Sequence, residues 1–407
     1  MEFSEQHKNE SLQRLRRLLK ASGVTDEEFQ KSLDQEALDL LVIDKLIVNT
    51  RHYFTEDELI DITGANPDLV KRLWRALGFP EANPKDPIFT DFDIEALTTI
   101  LSVIKLGIAD PERAIQLTRV IGSSLARIAE AQVTMAQLVE GADDPIIRAE
   151  TLALAVESLL PSLVRILEYA FRRHLQAAAR RAWLYSTRTQ GGSLQLTVGF
   201  ADMVGFTYLS QQVNPDTLAD IVGRFESLAY DIIIKGSGRV VKMIGDEVMF
   251  VVDDPAQAVE IGLELASAYS DDELLSDVRI ALAYGEVLAW EGDYFGAVVN
   301  KASRIVNIAN PGSVLVPREI YELLKDDQRF VFKQIRPAYL KDIGRVELWL
   351  VTRPGEEAKE DFRRIGARWR RFSEILRDLD ELREQGQRLI DAVVGQQERD
   401  DLKRTKS

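Results

Sequence analysis

Three stretches of the chain place charged side chains where strands and helix starts should be apolar. In FADMVGFT, Asp202 ends a strand-like run and is followed by Gly205, Phe206 and Thr207. In VKMIGDEVMF, Lys242 and Asp246 stand four residues apart, the second in the turn pair Gly245-Asp246. In EGDYFGAVVNKASRI, Asp293, Asn300 and Arg304 gather around the start of a helix, and the last two share one helix face. Two carboxylates at strand ends in one domain suit hard divalent cations, which take oxygen ligands. The turn after Asp202 leads towards a helix, so its backbone N–H groups could cradle phosphate oxygens. Taken singly, each residue has an ordinary explanation. An aspartate at a strand end forms turns, Lys242 would guard an edge strand, and Asn300 with Arg304 would decorate a solvated helix face. Their recurrence in one domain points instead to a highly charged ligand that is not protein.

The chain around these residues has 407 residues, 45% of them hydrophobic, which is ample for real cores and, at ~150 residues per domain, for two or three domains. It contains no cysteine, which removes disulfides, thiolate metal sites and cysteine nucleophiles. A formal charge of −15 disfavours a protein that coats nucleic acid or anionic membrane, since both need a cationic surface. The opening MEFSEQHKNESLQRL lacks the apolar core of a signal peptide. No apolar run approaches the ~20 residues of a transmembrane helix. A cytoplasmic protein with no transmembrane segment is expected. The three histidines, His7, His52 and His174, are read as structural or solvated.

The elements that must position the charged residues follow from periodicity. Residues 1–186 read as helical throughout, with apolar residues at helical spacing in Leu38–Val48, Leu59–Ile62, Asp68–Leu77 and Phe92–Leu106. Ile146–Tyr185 continues the pattern, with a break or kink expected near Pro161. The Gly/Ser/Thr/Gln-rich residues 187–193 read as a linker. Beyond it the texture changes to alternating strands and helices over 194–353. LQLTVGFAD reads as a strand, Asn214–Ile234 as a helix, 239–254 as a hairpin turning at Gly245-Asp246, and Pro255–Tyr269 as a second helix. DVRIALAYGEVLAWEG reads as another hairpin and AVVNKASRIVNIA as a third helix. The order β-α-β-β-α-β predicts a ferredoxin-like core. Residues 354–407 are highly charged, and Phe362, Ile365, Trp369, Phe372, Leu376 and Leu379 form an a/d seam fit for a packing or dimer helix.

The motifs together resemble those of the class III nucleotidyl cyclases. FADMVGFT is similar to that family's first metal-binding segment, and KMIGD to its hairpin with a substrate lysine and a second metal aspartate. GDYFGAVVNKASR resembles the segment with a base-reading aspartate, a ribose-orienting asparagine and a transition-state arginine. YLKDIG resembles the segment whose lysine reaches the triphosphate, here Lys341. The resemblance implies that Asp202 and Asp246 hold two divalent ions, Mg²⁺ or Mn²⁺, and that Gly205, Phe206, Thr207 and Lys341 meet phosphate. It gives Asn300 and Arg304 catalytic roles and Lys242 and Asp293 the base. Lys242 only donates and ionised Asp293 only accepts, which suits adenine N1 and N6 and opposes guanine. An adenylate cyclase acting on ATP is therefore expected. In the family the site forms between two catalytic domains, so a chain with one such domain carrying both residue sets implies a homodimer.

The all-helical first half joined to a cyclase domain resembles soluble actinobacterial adenylate cyclases with an autoinhibitory regulatory domain. The expected architecture is thus multi-domain: an all-α N-terminal regulatory and dimerising domain, an α+β ferredoxin-like class III cyclase domain, and a C-terminal helical extension. A segment of the first half, about 53–106, resembles the helix-turn-helix of MerR-like regulators, with Lys71, Arg72 and Arg75 on its second helix. Its acidic surroundings argue against a nucleic-acid partner. The Ile/Leu-rich stretches Leu97–Ile121 and Leu152–Phe171 would admit a small hydrophobic or lipid ligand, though core packing explains them equally well. Three other functions compete with the cyclase. A degenerate, nucleotide-sensing cyclase domain is opposed by the presence of all six expected residues. A diguanylate cyclase is opposed by Ile244, which stands where the GGDEF signature has its first glycine. The third is the MerR-like regulator itself.

Overall fold

Residues 5–48, 50, 52–81, 83–137, 144–188 and 194–356 are described by the computed structural model of the chain. They fall into two units, Met1–Leu184 and Tyr185–Ser407. The first unit is built from α1 (Glu5–Ala21), α2 (Asp26–Asp34), α3 (Leu38–Val42, continued by one π-helical turn), α4 (Glu56–Thr63), α5 (Pro67–Leu77), α6 (Asp91–Lys105), α7 (Pro111–Gln137) and α8 (Pro145–Arg188). Local chemistry sets their ends. Thr25 and Thr55 form capping boxes with Glu28 and Glu58, and Asn66 caps α5 ahead of Pro67. Leu15, Leu19, Phe29 and Leu38 pack with Ala149 and Ala153 of α8, and Leu59, Val70, Leu73, Phe89 and Ile115 make a second cluster.

Two details depart from the helical expectation for residues 1–186. Tyr53–Phe54 (β1) and Phe89–Thr90 (β2) pair as a short antiparallel ladder, too brief for any alternation to show in sequence. Of the break or kink expected near Pro161, the break does not occur: α8 is a single helix of 44 residues with Pro161 inside it. A proline there removes one N–H and crowds the preceding turn, at ~3 kcal/mol, which the remainder of so long a helix absorbs.

Helices α4 and α5 follow one another across residues 64–66 in the segment that resembles a helix-turn-helix, yet the cations of α5 are already engaged. Lys71 lies 3.5 Å from Glu56, Arg72 binds both oxygens of Glu112 at 2.6 and 2.7 Å, and Arg75 lies 3.2 Å from Glu81. Acidic partners so placed compete with the phosphate contacts on which DNA affinity depends.

The second unit contains β3 (Leu194–Met203), α9 (Phe206–Leu209), α10 (Pro215–Lys235), β4 (Arg239–Ile244), β5 (Glu247–Val252), α11 (Pro255–Asp271), β6 (Val278–Trp290), β7 (Asp293–Phe295), α12 (Ala297–Val306), β8 (Val314–Pro317), α13 (Arg318–Leu324), β9 (Val331–Gln334), β10 (Ala338–Leu340), β11 (Gly344–Val346) and β12 (Leu348–Thr352). The main sheet runs β4-β5-β3-β6-β8-β12-β9, and β7 hangs on β6. The first four strands each run antiparallel to their sheet neighbours and, with α10 and α11 between them, make the ferredoxin-like core. Period-two alternation divides the sheet's side chains into two faces. Phe250, Ile280 and Met203 pack with Phe225, Ile233 and Tyr269 of α10 and α11, whereas Phe200, Met249 and Ala281 pack with Ala302 and Ile305 of α12 and Leu340 of the β10–β11 hairpin.

The hairpin expected in DVRIALAYGEVLAWEG is instead one strand, β6, and the reversal comes at Glu291-Gly292, from which β7 returns. Tyr284-Gly285 looks like a turn but is not one. Gly285 has φ 153°, and a Cβ there would meet Val298 of α12 at 2.8 Å, so the glycine allows the helix to approach the strand. Of the linker 187–193, residues 187 and 188 continue α8 and the rest lie outside the described residues. So does the extension beyond Glu356, including the seam Phe362, Ile365, Trp369, Phe372, Leu376 and Leu379. No helix among the described residues is long and apolar enough to cross a membrane.

Candidate active site

Asp202 is set on the α12-covered face by the alternation of β3, two residues beyond Phe200. Strand register places Glu247 directly opposite it on β5 and Arg279 opposite it on β6. The main-chain N–H of Met203 donates to the carbonyl of Asp246 at 3.0 Å, which holds the β4–β5 turn beside Asp202. Three carboxylates therefore share one end of the sheet face. Their nearest cation is Arg279, whose Nη1 is 3.9 Å from Asp202, and whose buried Nε has no hydrogen-bond partner.

The electrostatic consequence is a site starved of positive charge. Burial, and then repulsion from Asp246, push the Asp202 carboxyl up to about 6 despite Arg279. Burial also raises Asp246. Glu247 rises to about 7, through burial first and then its two acidic neighbours. Asp202 and Asp246 suit a hard cation, and the repulsion between them is what such an ion would relieve. Among the described residues no three acidic or histidine side chains form a ready chelating cluster. A partial shell of two carboxylates fits Mg²⁺, which keeps waters and takes substrate phosphate oxygens.

A stability prediction follows with its sign. Asp202 is raised from 3.8 to about 6, so the metal-free folded state holds its proton more tightly than the unfolded chain. Stability is then lost as pH rises between those two values and stays lost above them. Asp202→Asn should raise the metal-free melting temperature of the catalytic unit at pH 7.5 by a few degrees (order of magnitude). The gain should shrink at pH 4.5. Calorimetry in chelator reads both, and a lowered midpoint at pH 7.5 would contradict the charge-repulsion account.

The base-facing candidates lie one row away. A bulge between Val240 and Lys242 re-aims β4, and Lys242 forms an ion pair with Asp293 at the start of β7. Asp293 also accepts from the Tyr294 N–H at 2.8 Å. The two side chains are 37% and 27% exposed, so a ligand can reach the pair.

Helix α12 buries Ala302, Ile305 and Val306 and leaves Asn300 and Arg304 exposed, one turn apart. Among the described residues no hydrogen bond or ion pair links either to Asp202 or Asp246. Lys341 is exposed in the turn between β10 and β11. Gly205, with φ 77°, opens the four-residue α9. The loop before it is tied down by Val204, whose N–H donates to Asp277 and whose carbonyl accepts from Ser276. Among the described residues no loop or turn bond takes up the N–H groups of Gly205, Phe206 and Thr207.

The structure thus gathers Asp202 with Asp246, Lys242 with Asp293, and Asn300 with Arg304, as three separate pairs. Glu247 and Arg279 were missed by sequence reasoning. Glu247 stands in plain sight after Asp246, but only the register shows that it faces Asp202.

Comparison with known proteins divides the chain in a similar place. The family described as adenylate cyclase regulatory domain matches residues 4–178, and that described as adenylate and guanylate cyclase catalytic domain matches residues 190–353. A curated protein named adenylate cyclase from Streptomyces coelicolor is 32% identical over 343 residues, covering 77% of this chain and 89% of that protein. Proteins of the same name from Glutamicibacter nicotianae (32% over 323 residues, 75% and 80%) and Streptomyces griseus (34% over 278 residues, 67% and 69%) are similar.

Proposed function

The chain belongs to the class III cyclase family as an adenylate cyclase with a regulatory domain ahead of the catalytic one, and from that premise we propose that it converts ATP to 3′,5′-cyclic AMP and pyrophosphate at sites shared by two copies of the chain. The observation that carries the reading is the Lys242–Asp293 pair. In the absence of a base, the donor and the acceptor satisfy each other. Adenine offers an acceptor at N1 and a donor at N6, so it can bridge them without stranding either charge. Guanine would set donor against donor and acceptor against acceptor, a mismatch worth about 10⁴-fold in sites of this kind.

Asp202 and Asp246 would hold two divalent ions, Mg²⁺ or Mn²⁺, whose contribution when bound is to acidify the ribose 3′-hydroxyl and neutralise the departing pyrophosphate. Asn300 orients the ribose so that the 3′-oxygen meets the α-phosphorus in line. The 3′-hydroxyl gives its proton to solvent, the new P–O bond forms as the bond from the α-phosphorus to the β-phosphate oxygen breaks, and pyrophosphate leaves with that electron pair. Arg304 meets the charge that grows on the α-phosphoryl group only during this step, which lowers the barrier rather than improving binding alone. Lys341 and the N–H groups of Gly205, Phe206 and Thr207 grip the polyphosphate. Helix α9 is too short for much dipole, so those N–H groups act as individual donors.

The exposure of Asn300 and Arg304, apart from the carboxylates of their own chain, supports sites completed by a second copy. Exposed Leu288, Trp290, Phe295 and Tyr339 supply apolar surface for that contact, and Leu159, Ile166 and Phe171 of α8 supply more in the first unit. The first unit is read as the regulator. A lipid between its helices is a second use for the same apolar residues, and an activity of delipidated protein that ignores added fatty acid would count against it.

Product analysis tests the reading. The full chain, given ATP or GTP with Mg²⁺ or Mn²⁺, should yield cyclic AMP from ATP and little cyclic GMP. An intact dimer that makes neither product would be a nucleotide sensor instead.

A further inference from the structure

The base-facing pair does not stand alone. Tyr185, three residues before the end of α8, belongs to the second unit, and its hydroxyl donates to Asp253 at 2.8 Å. The same Asp253 oxygen accepts from Arg239 Nη1 at 2.9 Å. Arg239 opens β4, the strand that carries Lys242, and its side chain is only 21% exposed. Burial works against the Arg239 charge, yet Asp253 and the facing Tyr294 hydroxyl more than restore it. Tyr294 in turn donates its main-chain N–H to Asp293. Hydrogen bonds therefore join the last turns of α8 to β4 through Asp253, and attraction between Arg239 and the neighbouring Tyr294 carries the line on towards Asp293, which accepts the Tyr294 N–H.

An apolar layer follows the same route. Tyr185, Val241, Tyr294 and Val298 all pack against the core cluster on the α12 side of the sheet. Val241 precedes Lys242 at the bulge, Tyr294 follows Asp293, and Val298 lies two residues before Asn300. A shift of the α8 end thus bears on the backbone beside three proposed substrate-facing residues at once. Burial, with Asp253 beside it, holds the Tyr185 hydroxyl up at about 12, so it remains a donor across the working pH range. Arg239 Nη2 is buried with no hydrogen bond, which leaves the guanidinium one further bond to make.

We propose that Tyr185, Asp253, Arg239 and Tyr294 form a positioning relay that ties the end of α8 to the adenine-reading pair Lys242–Asp293, so that the seating of this helix end sets the affinity and selectivity for the base. The proposal rests on the base-reading role given to that pair above. Helix α8 is continuous from Ala149 and Ala153, in the core of the first unit, to Tyr185 in the second. A change that moves or frays the end of this helix would be felt, within the second unit, as a change in how ATP is held. None of the four relay residues touches reacting atoms; they act through Asp293 and Lys242.

The test uses the full chain with Tyr185→Phe, Asp293→Asn and both together, reading KM and kcat for ATP and GTP beside the melting temperature. Tyr185→Phe, which removes only a hydroxyl, should raise KM for ATP and lower the ATP-over-GTP preference by roughly three- to tenfold, the scale of one hydrogen bond. In the Asp293→Asn background it should lower that preference no further, because the relay acts through that carboxylate. Tyr294→Phe should shift the same ratio in the same direction. If Asp293→Asn alters the preference but neither tyrosine variant does, or if the effects simply add, the relay is wrong and the base reading survives. If Asp293→Asn leaves the preference unchanged, the base reading falls and the relay with it.

Discussion

Mixed in equal amounts, Asp202→Ala and Asn300→Ala chains should together regain about a quarter of wild-type activity, although each alone should be down by ~100-fold or more. The figure comes from symmetry. Random pairing makes half of the dimers mixed, and each mixed dimer has one site with both changes and one with neither. One site in four is then intact. The structural basis is the separation of the candidate residues within one chain. Asp202 and Asp246 sit at the end of β3 and in the β4–β5 turn, joined through the Met203 N–H to Asp246 carbonyl bond. Asn300 and Arg304 stand exposed on α12, with no bond to either carboxylate among the described residues. A chain with both substitutions, mixed with wild type, is the informative control. Each site of its mixed dimers joins one wild-type half to one changed half, so neither is intact, and an equal mixture should keep about a quarter of the activity rather than the half that dilution alone would leave. If mass analysis shows that the single variants have exchanged partners and activity does not return, each site is complete within one chain.

The sequence made the candidate site legible where chemistry is local. Asp202, Asp246, Asn300 and Arg304 lie in short motifs whose spacing survives without knowledge of the fold, while Lys242 and Asp293 were given the base by the family resemblance, and donor and acceptor logic then favoured adenine. Contacts made by strand register were not legible. Glu247 is adjacent to Asp246 in sequence, yet its carboxylate counts because β5 sets it opposite Asp202. Arg279 reaches the same place from β6, 77 positions from Asp202, where a strand arginine gives no signal. The relay from Tyr185 to Tyr294 is hidden for the same reason: its members come from a helix end, two strands and a loop. Elements were misread where a local rule met a tertiary one. DVRIALAYGEVLAWEG reads as a hairpin but is one strand, and its internal Gly285 serves the approach of Val298 rather than a reversal. At Pro161 the helix continues without a break, because the cost of a proline is local and the cohesion of a long helix is not.

Exchanging both base-facing residues, as Lys242→Glu with Asp293→Cys, should invert the nucleotide preference, while either change alone should damage both reactions. The glutamate would accept from guanine N1–H and the thiol would offer a weak donor to O6, so the pattern becomes complementary to guanine. Against adenine it sets acceptor against acceptor at N1, and kcat/KM for ATP should fall by ~10³–10⁴-fold. The single changes are worse than intermediate because the two native side chains are in contact. Lys242→Glu alone places a second carboxylate against Asp293, and the two repel whether or not a base is present. Asp293→Cys alone leaves the Lys242 ammonium without its counter-charge and still presents a donor to guanine N1–H. The coupling between the two changes should therefore be large and favourable for GTP, the mark of residues that act as one unit. The native chain has no cysteine, so the introduced thiol would be the only one, and its labelling should slow when nucleotide occupies the site. A double variant that still prefers ATP, with its thiol shielded by nucleotide, would mean that the pair lines the site without choosing the base.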